Sequence, residues 1–292
     1  MGSKRDDSKA LAEDVKEFVR NQGADLVGVA SAKNLNKKAP MGRRPEDFLT
    51  GAKAVVIMGI HMLDTLFHEL PARTDIWSDY FMYAMGLVRS LEWKLTKLLE
   101  SKGFRALPCL GPYPAETQKA PVSLKHFGAE AGLGVFALSN LLVTPEFGPR
   151  VRLSGVITDA PLAHDQPLSN DPCKETQPKC KFACVRGCPV EALATNGEIK
   201  RAECYKYYFI LPCHGLYQET GINWRCGLCI TNCPVGSKVL WNGYKLEPES
   251  RKKKSLEITA LNEEELTGRM RLYYSRRKLK PELIVFKDNP PI

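Results

Sequence analysis

Cys173-Lys-Glu-Thr-Gln-Pro-Lys-Cys180-Lys-Phe-Ala-Cys184-Val-Arg-Gly-Cys188-Pro189 and, further on, Cys226-Gly-Leu-Cys229-Ile-Thr-Asn-Cys233-Pro234 are the two runs on which the reading of this chain turns. With Cys204 and Cys213 between them, residues 173–233 hold nine of the ten cysteines of a 292-residue chain. Both runs close on the same Cys-x3-Cys-Pro ending. Proline fixes φ and turns the chain away, so the last sulfur of each run points across rather than back. Neither run has enough ligands of its own, and each must borrow from elsewhere.

Four thiolates close on one iron–sulfur cubane only if short loops carry their sulfurs to the corners of a tetrahedron. In two-cluster ferredoxins the cysteine before the proline ligates the other cluster. Counting by that rule gives two [4Fe-4S] clusters. Cys173, Cys180 and Cys184 take Cys233 on one; Cys204, Cys226 and Cys229 take Cys188 on the other. Cys109 and Cys213 are left over, and Cys213, in Leu-Pro-Cys213-His214-Gly, is a rival to Cys173 or Cys204. The first run has gaps of six and three residues where a bacterial ferredoxin has two, and Pro178 predicts a loop that bulges to make up the reach. Zinc tetrads share the Cys-x2-Cys spacing, but they do not favour Cys-Pro endings on two distant runs. A disulfide framework is not needed in a chain long enough to bury a normal core.

Apolar content of 43% and charged content of 26% are those of an ordinary globular protein. No apolar run approaches the roughly 18 residues of a membrane span. The opening Met-Gly-Ser-Lys-Arg-Asp-Asp has neither an apolar signal region nor a twin-arginine signal, so the cytoplasm is the expected compartment and no membrane contact is expected. The net charge is +9, and residues 241–292 hold twelve Lys and Arg against eight Asp and Glu. Arg251-Lys252-Lys253-Lys254 and Arg276-Arg277-Lys278 are suited to RNA or cofactor phosphates, or to an acidic electron donor such as a ferredoxin or flavodoxin.

Leu11, Val15, Phe18 and Val19 share one face of a helix over 8–22, with Gly23 as its C-cap. Leu26–Ala30 reads as a short buried strand, and 34–45 as a loop. Lys53–Ile60 is a β-branched run of the kind a sheet buried on both faces uses, which opens an α/β alternation. Ser78 is the expected N-cap of a long helix ending at Gly103. A short strand follows over 104–107, then an irregular proline- and glycine-rich segment over 108–114, of the sort that holds ligands. Ser123–Ala131 is expected to be helical and Val151–Thr158 a strand. A further helix is expected near Asn262, and Leu283–Phe286 to add to a sheet or cover the core.

Ala131-Gly-Leu-Gly134, Leu142-Val-Thr-Pro-Glu-Phe-Gly-Pro-Arg-Val-Arg-Leu153 and Val156-Ile-Thr-Asp-Ala-Pro-Leu162 precede the cysteine runs. In that order they resemble the shared core of corrinoid-dependent reductive dehalogenases and epoxyqueuosine reductases. Arg44–Val56 and Arg201-Ala-Glu-Cys204-Tyr are similar to the reductase side. The resemblance covers roughly residues 10–285. It implies an α/β (α+β) chain: a nitroreductase-like domain over 1–162 that holds cobalamin base-off, a ferredoxin-like double-cluster domain over 163–240, and a basic segment over 241–292 packed on the core. It implies a reductase whose clusters pass electrons to cobalt and on to a small-molecule or modified-nucleoside substrate. An electron carrier or reductive activator serving a partner corrinoid protein is the other reading.

The backbone of Gly132, Leu133 and Gly134, and of Thr144, Pro145 and Gly148, is the expected cradle for the corrin amides and nucleotide tail, because small residues allow close approach. Tyr80 falls where the relatives carry an active-site tyrosine, and a phenol can donate a proton to a developing anion. His126 and His214 are candidate proton shuttles. Two departures bear on the substrate. Leu138 stands where the relatives carry Lys or Arg, and Leu107-Pro-Cys-Leu-Gly111 lacks the acid of the epoxyqueuosine reductases.

Overall fold

Residues 3–68, 74–109, 121–205 and 226–237 are described by a computed structural model of the chain. The first part runs α1 (Ser3–Asn21), β1 (Leu26–Ser31), α2 (Ala32–Lys38), α3 (Pro45–Phe48), β2 (Ala54–His61), α4 (Asp64–His68) and α5 (Thr74–Ser101). It continues through β3 (Ala106–Pro108), α6 (Leu124–Glu130), β4 (Val135–Phe136), β5 (Leu142–Val143) and β6 (Val151–Thr158). The cysteine region supplies α7 (Pro172–Cys180), α8 (Ala183–Arg186), α9 (Arg201–Tyr205) and α10 (Leu228–Thr231).

The fold is mixed α/β. Its sheet has the order β1-β2-β6-β3, and every neighbouring pair is antiparallel, with Val56 opposite both Val29 and Val156. Alternate residues of β2 point to opposite faces. Ala54, Val56, Met58 and Ile60 pack with Val15 and Val19 of α1 and with Val88, Leu95 and Leu99 of α5. Val55 and Ile57 pack with Phe127 of α6 and Leu35 of α2. Helices thus cover both faces, which is why the β2 run is apolar throughout. A continuous apolar run reports burial and carries no information on strand direction, and here helices and strands alternate along the chain around an antiparallel sheet.

Both expected glycine caps are present: Gly23 and Gly103 take φ of 101° and 84°, and the Phe104 amide reaches back to the Leu99 carbonyl at 3.0 Å. α5 begins at Thr74 rather than Ser78, because Trp77 packs on Phe67 with ring centroids 4.5 Å apart and extends the apolar stripe upstream. The expected loop over 34–45 contains most of α2. Ser31 caps that helix by accepting from the Asn34 amide at 3.3 Å, and Leu35 anchors it at 2% exposure. Ser31→Ala should cost about 1 kcal/mol, read as a lowered denaturant midpoint with an unchanged slope. The readings near Asn262 and at Leu283–Phe286, the basic runs, Cys213 and His214, and the segment beyond Cys109 up to residue 120 lie outside the described residues. Among the described residues no helix is long and apolar enough to cross a membrane.

Candidate functional site

The six-residue gap in the first cysteine run is helical. Asp171 Oδ1 accepts from the Cys173 and Lys174 amides at 3.0 Å each and Pro172 is the first helical residue, so α7 starts just before the first cysteine. Cys173 and Cys180 are seven residues apart, two turns, which puts both on one face. The bulged loop expected from Pro178 is therefore replaced by a helix with that proline inside it. Lys181 and Phe182 then adopt left-handed φ of 48° and 59°, reversing the chain into α8 and returning Cys184 toward α7. α10 packs on α8, where the Asn232 side chain occupies the space left by Gly187 and donates to the Leu228 carbonyl at 2.7 Å. Thr231 Oγ1 donates to the Phe67 carbonyl at 3.1 Å and docks α10 on α4.

None of the described cysteines is in a disulfide. Burial pushes the Cys184 thiol up to about 11, with Cys173 and Cys180 adding repulsion. Burial pushes Cys233 up to about 12, against the Val235 amide and Arg150 and with Cys184 and Cys173. Cys173 is raised by burial, Asp171 and Cys180. Among the others, Cys204, exposed at the surface, is also raised by the protein around it, with Cys188 as its thiol neighbour, and burial raises Cys229 with Cys226, Cys204, Cys188 and, last, Cys184 around it. Cys173, Cys180, Cys184 and Cys233 thus neighbour one another, as do Cys188, Cys204, Cys226 and Cys229, and the two groups adjoin, since Cys184 also packs with Cys188 and Cys229.

Thiolates crowded together and partly shielded from water, as most of these are, need positive charge beside them. Iron would supply it, and the sets fit a cluster in a further respect. The Ala192 amide donates to Cys188 Sγ at 3.2 Å, and the Leu138 and Val235 amides are aimed at Cys173 and Cys233. Hydrogen bonds to ligating sulfur are one of the means by which a protein tunes such a centre. Among the described residues no three His, Cys, Asp or Glu side chains close to single-ion distance. A cube of four irons holds its ligands further apart than one ion does. Cys109 lies elsewhere, buried between β3 and the α5 Glu92, with its thiol pushed up by burial and that carboxylate.

The loops expected to cradle a corrin are engaged within the chain. The amides of Gly132 and Leu133 donate to Ala129 and Gly128, those of Thr144 and Gly148 to each other's carbonyls, and that of Phe147 to Thr144 Oγ1. A Cβ at Gly132, Gly134 or Gly148 would strike the carbonyl of Gln166, Val143 or Val235 respectively. The close approach these glycines permit is to the protein's own backbone. Leu133 and Thr144 are buried, and Pro145 is exposed without an N–H to offer. Four of the six positions named for the cradle thus spend their amides within the chain and Pro145 has none, which leaves Gly134 as the one of the six whose amide is not so engaged among the described hydrogen bonds.

Tyr80 stands on the solvent side of α5, 43% exposed, rather than packed in the core, with its ring edge-on to Tyr83 at 6.3 Å. Leu87 continues that exposed face one turn on. His126 stacks on Phe136 at 4.6 Å and bonds Ser123 Oγ at 2.6 Å. Burial, with Lys125 and Arg201 nearby, holds its imidazole below the usual range.

Two cations belong to the site although the sequence did not single them out. Lys125 donates to the Asn140 carbonyl at 2.5 Å and lies 5.2 Å from the Phe136 ring centre. Burial and Arg201 bring it down to about 8, opposed by Cys229 and Cys204. Arg150 pairs with Asp64 at 2.7 Å, with both side chains buried. Its only sequence signal was membership of the Leu142–Leu153 motif.

No family model matches the chain. It is 26% identical over 280 residues to the tetrachloroethene reductive dehalogenase of Sulfurospirillum multivorans, covering 80% of this chain and 52% of that protein. It is 22% identical over 280 residues to the epoxyqueuosine reductase of Bacillus anthracis, covering 83% and 69%. The chain therefore spans about half the length of the dehalogenase. These homologues are named reductases, a class of oxidoreductase. Among solved structures, a reductive dehalogenase that suggests a mechanism for B12-dependent dehalogenation gives a TM-score of 0.60 at 20% identity, over 94% of this chain and 37% of that one. An epoxyqueuosine reductase with an epoxyqueuosine-modified tRNA-Tyr stem loop gives 0.52 at 22%, over 83% and 68%. At these identities the likeness shows a shared fold.

Proposed function

We propose that this chain is an iron–sulfur oxidoreductase that works in a reducing compartment. Cys173, Cys180, Cys184 and Cys233 hold one [4Fe-4S] cluster, and Cys188, Cys204, Cys226 and Cys229 hold the other. The observation that supports this reading is that Cys233 neighbours Cys184 and Cys173, while Cys188 neighbours Cys204 and Cys229. When bound, the clusters supply one-electron transfer. The chain's part is to exclude water from the thiolates, to aim the Leu138, Ala192 and Val235 amides at sulfur, and to keep Lys125 and Arg150 beside one set each.

A base-off corrinoid and a modified-nucleoside or small-molecule substrate are proposed from the likeness to the two reductase groups, with a ferredoxin- or flavodoxin-type donor. The exposed Tyr80–Tyr83–Leu87 face is an apolar surface able to meet a flat ligand, and Tyr80 there has a proton to donate. A second reading is favoured by the engaged loops and by Leu138, whose amide serves Cys173 where the relatives place a cation. In it the chain carries electrons to a partner corrinoid protein. An anaerobic titration separates the two. The reductase reading expects stoichiometric uptake of cobalamin with a base-off Co(II) spectrum by protein holding about eight irons. Unchanged spectra at saturating cobalamin leave the carrier, and zinc in place of iron removes both.

A further inference from the structure

Arg150 lies where the sheet meets the second cysteine run. It follows the Thr144–Gly148 turn and immediately precedes β6, and its side chain is 3% exposed. Its guanidinium has three partners on two sides: Nε faces Asp64 Oδ1 at 2.7 Å, Nη1 donates to the Cys233 carbonyl at 2.9 Å, and Nη2 donates to the Val235 carbonyl. A guanidinium stays charged and offers its donors in a rigid planar fork. Asp64 supplies the countercharge from behind, and the terminal nitrogens turn the positive end of the pair toward the turn that carries Cys233. Backbone packing reinforces the contact, since a Cβ at Gly148 would strike the Val235 carbonyl and one at Gly236 would strike the Phe147–Gly148 backbone.

Adding an electron to a thiolate-ligated centre adds negative charge, and a fixed cation nearby favours that state by Coulomb attraction. Net charge and hydrogen bonding are among the quantities that set such potentials.

We propose that Arg150 is a positioning residue that locks the Cys233 turn to the sheet and raises the reduction potential of the one cluster that Cys233 ligates. This rests on the two-cluster reading above. Arg150 acts on Cys233, whereas Lys125, held by Asn140 and over Phe136, acts on Cys229 and Cys204, so the larger effect of Arg150 falls on one centre.

The test is an anaerobic redox titration of the holoprotein followed by electron paramagnetic resonance, with iron analysis, on wild type, Arg150→Gln and Arg150→Lys. In Arg150→Gln one of two cluster signals should become at least tenfold harder to reduce, about 59 mV for one electron, with the other shifted less. Arg150→Lys, which keeps the charge without the fork, should recover most of that shift. Loss of about four irons in Arg150→Gln, with the remaining cluster at its wild-type potential and iron restored in Arg150→Lys, supports the same role. Wild type holding two clusters, with both potentials unchanged or equally shifted in Arg150→Gln, overturns the role of Arg150 alone. Arg150→Lys behaving like Arg150→Gln in potential overturns the charge argument. Wild type that cannot hold two clusters overturns the reading beneath it as well.

Discussion

Cys188→Ser is expected to abolish the cluster signal that Cys226→Ser abolishes, and Cys233→Ser the one that Cys184→Ser abolishes. Each should remove about four of about eight irons. Position in the chain alone would group Cys188 with Cys184, three intervening residues away, and Cys233 with Cys229. The proposed exchange groups them otherwise. Cys204 and Cys229 have Cys188 as a thiol neighbour, while Cys233 is raised by Cys184 and Cys173. A cluster that loses one of its four thiolate ligands loses both charge and a bond, so partial occupancy is not expected to survive purification. Iron and sulfide analysis with paramagnetic resonance on the four variants reads the grouping directly. Cys188→Ser and Cys184→Ser losing the same signal would end the exchange model.

Asp64→Ala should destabilise the chain by about 3–5 kcal/mol, the range found when one partner of a buried ion pair is removed. Asp64 is 5% exposed on its side chain and meets Arg150, 3% exposed, at 2.7 Å. It also faces His61 Nε2 at 3.3 Å. Alanine there leaves a guanidinium that can neither shed its proton nor reach water. Asp64→Asn keeps a hydrogen-bond acceptor and should lose less. Anaerobic denaturant unfolding provides the measurement, and an Asp64→Ala midpoint indistinguishable from wild type would mean that the pair is solvated.

The parts of the fold written locally could be read from the sequence. Val15 and Val19 on one helical face, Gly23 and Gly103 after helix ends, and the apolar run of β2 each state their role within a few neighbours. Strand direction could not be read, because Val55 and Val56 are equally apolar whichever way the adjacent strand runs. Pro178 misled for a related reason: its effect as a helix breaker depends on what else holds the helix, and Asp171 secures the first turn of α7. At the site, the Cys-Pro endings are the sequence feature from which the exchange of ligands is expected. Arg150 and Lys125 did not stand out, since a basic residue ordinarily reads as surface. What buries Arg150 is Asp64 at one end and the Cys233 and Val235 carbonyls, 83 and 85 residues later, at the other. The glycines of the 131–134 and 143–148 loops were visible as places of close approach, but a single sequence does not say whether a ligand or the chain itself comes near.

The contact between Arg150 and the Cys233–Val235 turn also has a bearing on biosynthesis. A ribosome makes the receptor first: the sheet, Asp64 and the guanidinium are all translated before the turn they grip. Until that late piece emerges and docks, Cys173, Cys180 and Cys184 wait one ligand short, so on the two-cluster reading metal loading comes near the close of translation or after it.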